Sequence, residues 1–560
     1  MISSIENIIR TICDDRYLGK VVLLLLLIVC LFKIPIILTS DIQPWDEGMY
    51  AVRVLSIHIN GDFFDQSMNS VAGLDSGSHP PLLIWLGYFA TLIFGINDIV
   101  LKLLPFTFAL LCVVFIIRIG KELGSFETGF LSALIFTGTY LFNVFSNRFQ
   151  FDIPVTFFII ISFYFFILYI NKNAKFFLAL SGIAFGLCLM TKTLVGFYIP
   201  IILFITFLFL RKNNRIRFTD LAILTAIGLI IALPWHLFML INHGGDFVNY
   251  FFGFHLFSRV IESHEGIQSK GALYFISILM NNIPFGIIVF MSFVKDIKNF
   301  IHLNWEKILL WIWFITGFIT ISIFQTKLET YLLPFLAPAC ILLVIYLMSD
   351  DNKSLNEKII ILILTLFNIA WLTTQSFRNE IKEFLYHQDY IEIIIIIISV
   401  AVVILIIYYL FKSLLSKINL RSTYFVIIII FFLSSYIYFL FNVPMFENSF
   451  VLSKIKNEVD RSSWAKIIYV STDYKFNPQF TYYFRGIDLG WDNKLSYELV
   501  DLKNGVENAR KRIDDILPGE YAVIVERDNM NPGKYYDSKL FVPERFKLLK
   551  KYHGYELYED

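Results

Sequence analysis

The sequence predicts a polytopic all-α membrane domain of about 13 transmembrane helices with a long first outer loop, followed by a small C-terminal α/β extracytoplasmic domain. Two observations carry this reading: long apolar runs through most of the chain, and an abrupt shift to ordinary soluble composition near residue 447. Of 560 residues, 57% are hydrophobic and 17% charged, where soluble domains average about 45–50% and about 25%. Runs such as IEIIIIIISVAVVILIIYYLF reach the roughly 20 apolar residues that cross a bilayer. A net charge of +1 excludes a global field that recruits nucleic acid.

Taken in order, spans are expected near 20–39, 100–118, 128–146, 153–170, 175–190, 193–210, 218–240, 272–294, 305–324, 330–348, 358–376, 390–411 and 423–442. The first follows Arg10, Arg16 and Lys20 and has no small-residue cleavage site after it, so it reads as a retained anchor. His79–Gly95 is apolar but short and opens on a Pro pair, which places it on the membrane surface. The loops then sort by charge. The N-terminal side carries 19 Lys and Arg, against about nine on the alternate side before residue 447, and the positive-inside rule makes the richer side cytoplasmic. The first loop (40–99) and the segment 447–560 then face outward, with 1–446 as the membrane domain. In the C-terminal segment, AKIIYVS and EYAVIVE read as strands and ELVDLKNGVENARKRIDDIL as a helix. Of the five cysteines, Cys30, Cys112, Cys188 and Cys340 lie in apolar runs and none pairs in a CxxC; with Cys13, they argue against a disulfide framework or a thiolate metal site.

Ionisable residues near the ends of apolar helices are costly to place there and are usually functional. Asp46 and Glu47 follow the first span in DIQPWDEGMY. Arg148 and Asp152 lie in SNRFQFD, Lys192 in MTKTLVG, His236 in LPWHLF, His255 and Arg259 in GFHLFSR, and Lys327, with Tyr331 close behind, in QTKLETYLLP. All fall at outward ends. A carboxylate there can take the proton of an acceptor hydroxyl, and Lys and Arg can hold a phosphate as it leaves. A blander account exists for each. The acidic pair can sit in solvent, Asp152 can serve a helix macrodipole, Lys192 and Lys327 can snorkel to headgroups, and Arg259 can pair with Glu262. His79 and His255 read as hydrogen-bonded groups before metal ligands.

The pattern resembles the C-type membrane glycosyltransferases, in the branch of the protein O-mannosyltransferases and the lipid A aminoarabinose transferases. The pieces that carry the resemblance are WDEGMYA (45–51), SHPPLLIWL (78–86), RFQFDIPVTFF (148–158), GLCLMTKTLVGFYIP (186–200), ALPWHLFML (232–240), FVNYFFGFHLFSR (247–259) and QTKLETYLLPFLAPA (325–339). Their order over some 300 residues matches the family. The resemblance implies an inverting hexosyl- or pentosyltransferase that takes a sugar from a polyprenyl (undecaprenyl) monophosphate and passes it to a lipid, glycan or protein acceptor. It makes Asp46 the base or acceptor-positioning group and puts Asp152 near the donor sugar. Arg259, Lys192 and Lys327 fall near the donor phosphate, and Glu47, His79, Arg148, His255 and Tyr331 among the substrate contacts. Where aminoarabinose transferases carry an acidic–basic pair before PPL, this chain has Ser78 and His79, which argues against a metal site at that place.

The alternative is a transporter or lipid-linked sugar flippase. Such a protein should show inverted repeats and charges near the bilayer midplane; no repeat is apparent and the charges gather at one face. The expected protein is therefore a monomeric, multi-pass enzyme of the bacterial inner membrane whose site faces the periplasm or cell exterior. It is expected to work among membrane lipids without nucleic acid and without a cofactor, a divalent metal being the one considered.

Overall fold

The computed structural model describes residues 18–71, 73–211, 215–258, 261, 286–298, 300–325, 328–349, 357, 360–361, 363, 420–441, 451–461, 466–471, 477–484, 496–502, 505–514, 521–526, 538–552 and 555–559. Helix α1 (Leu18–Thr39) is apolar on both sides of Lys33, whose buried ammonium donates to the carbonyl of Asn143. It packs on α4 (Asp98–Leu123). Between them lie α2 (Asp46–Asn60) and α3 (Leu82–Phe94). Every residue of α2 from Glu47 to Ile57 is buried, and the helix ends at Gly61, whose φ of 69° suits a residue without a Cβ. The 13 residues of α3 make a rod of about 20 Å, short of the roughly 30 Å hydrocarbon core. One face of it packs against α2 and α4, while Phe89, Leu92, Ile93 and Phe94 on the other are exposed.

The expected span near 128–146 is broken. Helix α5 (Phe126–Gly138) stops at Thr139, whose hydroxyl accepts the N–H of Phe142 and caps a short helix, Tyr140–Phe145. Helices α4 and α5 meet at glycine: a Cβ on Gly129 would lie 2.2 Å from the Ile117 carbonyl oxygen, so only a bare backbone fits. Then come α6 (Asp152–Lys172), α7 (Lys175–Gly196), α8 (Tyr198–Leu210) and α9 (Phe218–Val248), with α7 packed between α6 and α9. The sequence places a turn around Lys192. The backbone does leave helical geometry there, at Lys192 (φ −151°, ψ 89°), so that two helical pieces meet at a kink within Lys175–Gly196. A widened helical turn (Asn249–Ser258), α10 (Gly286–Ile297), α11 (Trp305–Ile323), a 3₁₀ turn (Glu329–Leu332), α12 (Leu333–Met348) and α13 (Leu420–Phe441) follow.

Seven helices among the described residues are long and apolar enough to cross a membrane, and the protein is a membrane protein. The span expected near 390–411 lies outside the described residues, as do most of that near 358–376 and the first half of that near 272–294.

The C-terminal segment carries α14 (Val451–Arg461), β1 (Lys466–Ser471), α15 (Gln479–Phe484), β2 (Ser496–Asp501), α16 (Val506–Asp514), β3 (Tyr521–Glu526), β4 (Lys547–Tyr552) and β5 (Tyr555–Glu559). The sheet order is β2-β1-β3-β5-β4, parallel across the first three strands and antiparallel across the last three. Both expected strands are present as β1 and β3. The expected helix over 498–517 divides: its first residues belong to β2, drawn into parallel pairing with β1 from Lys466↔Ser496 to Ser471↔Asp501, and among the described residues that follow Val506–Asp514 is helical. One buried cluster fills the bundle. A second joins Val52, Leu55 and Phe149 to Leu452, Phe480 and Tyr555, so the first loop and the C-terminal segment share a core.

Candidate active site

The segment Arg148–Asp152, which leads into α6, is where several of the expected site residues come together. Its first tie is to α2. Asp46 opens α2 and is exposed, while the next residue, Glu47, is fully buried. A buried carboxylate is costly unless hydrogen-bonded. That of Glu47 accepts the N–H of Gln43 at 2.9 Å through one oxygen and the N–H of Phe149 at 2.8 Å through the other. It therefore joins the approach to Asp46 with the approach to Asp152. Trp45, immediately before Asp46, has φ 65° and ψ −131°, a conformation that side-chain-bearing residues rarely adopt.

The second tie is an ion pair. Asp152, the first residue of α6, lies 3.3 Å from Lys192 Nζ. The α7 kink is what brings that lysine to the helix end. Lys192 Nζ also stands 5.7 Å from the centroid of Tyr331, in the 3₁₀ turn before α12, close enough for cation–π attraction. Lys192 thus links the carboxylate at the start of α6 to the ring before α12.

The third tie runs through aromatic rings. Phe151 lies 4.1 Å from Tyr50 and 5.7 Å from His79, and His79 lies 4.3 Å from His255, measured between ring centroids. His255 Nε2 is within hydrogen-bond distance of Ser78 Oγ (3.0 Å) and the Asp75 carbonyl (3.1 Å). The guanidinium of Arg148 sits 5.2 Å over the Phe145 ring. Arg259 and Lys327 lie outside the described residues. His236 is satisfied within the bundle, by Thr193 Oγ1 at Nε2 and the Ala232 carbonyl at Nδ1. Among the described residues no three His, Cys, Asp or Glu group in a way that could hold a metal ion, and the cysteines there are free thiols.

Sequence reasoning passed over Arg53. Its fully buried guanidinium donates to the Ser76 carbonyl, Gln66 Oε1 and the His79 carbonyl, each at 2.9 Å. Burial lowers it to about 10, against the opposing pull of Tyr50, Asp65 and Asp62, so it stays charged at neutral pH. The signal was a lone cation inside the apolar stretch MYAVRVL. A further latch joins the first loop to α9: His243 Nε2 lies 2.6 Å from Asp65 Oδ2, and Trp235 donates to the Phe64 carbonyl at 2.9 Å.

Residues 78–238, which include His79, Arg148, Asp152 and Lys192, match the sequence profile of the family described as dolichyl-phosphate-mannose-protein mannosyltransferase. Across 97% of this chain and 98% of the other, the fold superposes on ArnT from Cupriavidus metallidurans bound to undecaprenyl phosphate, with a TM-score of 0.66 at 15% identity. The chain has the fold of ArnT. Among relatives by sequence, an uncharacterised protein of Aquifex aeolicus is 23% identical over 58% of this chain and 64% of its own length. The undecaprenyl phosphate-alpha-4-amino-4-deoxy-L-arabinose arabinosyl transferase of Serratia proteamaculans is 30% identical over 32% of each chain. The match thus spans less than two thirds of the length of these relatives. In this fold, segment 148–152 and the start of α2 form the candidate site.

Proposed function

We propose that the protein is an inverting glycosyltransferase that moves a sugar from a polyprenyl monophosphate to an acceptor hydroxyl at the outer face of the bacterial inner membrane. The observation that carries this reading is the convergence on segment 148–152, where an exposed carboxylate and a carboxylate–lysine–tyrosine group are tied to one stretch of chain. Asp46 takes the proton of the acceptor hydroxyl as its oxygen attacks the anomeric carbon. The bond from that carbon to the phosphate oxygen breaks, and the lipid phosphate leaves with the electron pair. Lys192, with Arg148, Arg259 and Lys327, balances the charge that develops on it, and Asp152 holds Lys192 and borders the donor sugar. His79, His255 and Tyr331 line the donor side. The undecaprenyl phosphate bound to the superposed ArnT and the names of the arabinosyl transferases support the donor class. The acceptor is a lipid, glycan or protein. In this reading residues 447–560 form an extracytoplasmic α/β domain.

The test is transfer by purified protein from a panel of radiolabelled polyprenyl-phosphate sugars to a membrane lipid extract, beside Asp46→Asn. Donor-dependent labelling should fall by about 100-fold or more in the variant. Full labelling by the variant removes Asp46 from its role, and no labelling by folded wild type from any donor removes the transferase reading.

A further inference from the structure

Helix α2 is held from two sides. Glu47 ties it to segment 148–152, and the C-terminal segment lies against it elsewhere. At Gly48 a Cβ would fall 2.6 Å from the Gln479 nitrogen and 2.9 Å from Pro478 Cγ, so the start of α15 rests on bare helix backbone. Residues two apart on a helix point about 200° from one another, which puts this contact behind Asp46. Met49 and Val52 share a buried cluster with Leu452, Phe480 and Tyr483.

The approach to α2 is gripped as well. Tyr483 Oη accepts the N–H of Ile42 at 2.8 Å and donates to Asp98 Oδ2 at 2.7 Å. The Asp41 carboxylate accepts the Leu452 N–H at 2.8 Å and the Ser453 hydroxyl at 2.7 Å, in the first turn of α14, where the positive helix end favours an anion. Lys102 of α4 donates to the carbonyls of Ser40 and Asp41. Residues 40–42 are thus fixed between the bundle and the C-terminal segment, a few residues before Asp46. The backbone of Trp45 is an independent observation. A strained residue keeps such a conformation only where its surroundings over-determine it. The contacts that do so here come from Glu47 on one side and from α14 and α15 on the other.

We propose that the C-terminal segment is a positioning element of the site: α14 and α15 hold residues 40–45 in place and so set where Asp46 stands. This rests on the role given to Asp46 above. It makes the acceptor-side carboxylate depend on contacts from residues 411 and 441 positions further along the chain.

The experiment uses the full-length protein with Tyr483→Phe, which keeps the ring and removes both hydrogen bonds. Gly48→Ala, which crowds α15 off α2, serves as a second variant. We expect kcat to fall about 10- to 100-fold, as for a small misplacement of a reacting group, with the KM for donor within twofold of wild type. Amide hydrogen exchange should rise in peptides covering 40–50 and not in those covering 82–94. In an Asp46→Asn background, Tyr483→Phe should cost no further activity, because both changes act through one group. An unchanged kcat in both variants, a parallel loss of donor binding, or an added loss in the double variant would each overturn the proposal. If wild type transfers from no donor, the transferase reading fails by itself. The exchange data then still decide: faster exchange confined to 40–50 upholds the positioning, and unaltered exchange removes it.

Discussion

Asp46 and Asp152 each open a helix, and they are held in opposite ways. Asp152 is nearly buried and meets a cation directly, its Oδ1 3.3 Å from Lys192 Nζ, with Tyr331 beside that lysine. Asp46 is exposed and follows a strained tryptophan; in the positioning proposed above, Glu47 on one side and the C-terminal segment on the other set where it stands. A group that borders a bound donor gains from a fixed charge pair already in place. A group that must meet an incoming acceptor has to stay accessible, so its precision is built into the backbone underneath it.

The comparison can be broken most strongly at the paired carboxylate. Lys192→Met should lower kcat/KM by about 100- to 1,000-fold, the size of effect seen when one stabilising donor is lost, and Lys192→Arg should restore part of it; steady-state kinetics with varied donor would show this. A smaller effect is expected at the buried clamp. Glu47→Gln offers one acceptor and one donor where two backbone amides need acceptors, so kcat should fall about 10- to 100-fold while donor KM stays constant. Equal loss in both parameters would make Glu47 a substrate contact after all.

The smallest effect sharpens the contrast at the edge of the first loop. Burial alone would raise the Asp65 carboxyl, but the hydrogen bonds from Ser67 and His243 and the charge of His243 outweigh it and leave the group below its usual value. Its contribution is therefore complete above the unfolded pKa of about 3.9 and fades as pH falls through the lower folded value. Thermal unfolding of wild type and Asp65→Asn should differ by no more than about 1 kcal/mol at neutral pH, and the gap should close in acid below about pH 4. A gap that widens on acidification would refute this sign.

Much of the bundle was legible because crossing a bilayer imposes a minimum apolar length that can be read in one dimension. The gathering of Asp152, Lys192 and Tyr331 was legible for a related reason, since charges stranded in apolar helices advertise themselves. The break that delivers Lys192 was legible too, since the polar TKT of MTKTLVG separates the spans expected at 175–190 and 193–210. Glu47 was expected to touch substrate; its carboxylate meets two backbone amides, one of them 102 positions away, and amides have no residue-type signature. The dependence of α2 on Asp41 and Tyr483 was hidden likewise, by separation along the chain. In the C-terminal segment β2 was taken for helix because SYELVD alternates weakly and becomes a strand through its partner β1.

The buried ammonium of Lys33 has a consequence for the order of assembly. Its acceptor, the Asn143 carbonyl, lies 110 residues later and does not yet exist when α1 reaches the membrane. A lysine deep in an apolar helix costs about 2.5–3.5 kcal/mol on insertion scales, which the surrounding leucines, isoleucines and valines of α1 offset. This hydrogen bond therefore cannot fix the register of α1 until the turn after α5 has been made. In that role a single charge works as a timing mark, holding the first helix provisional until the framework that will use it has been made.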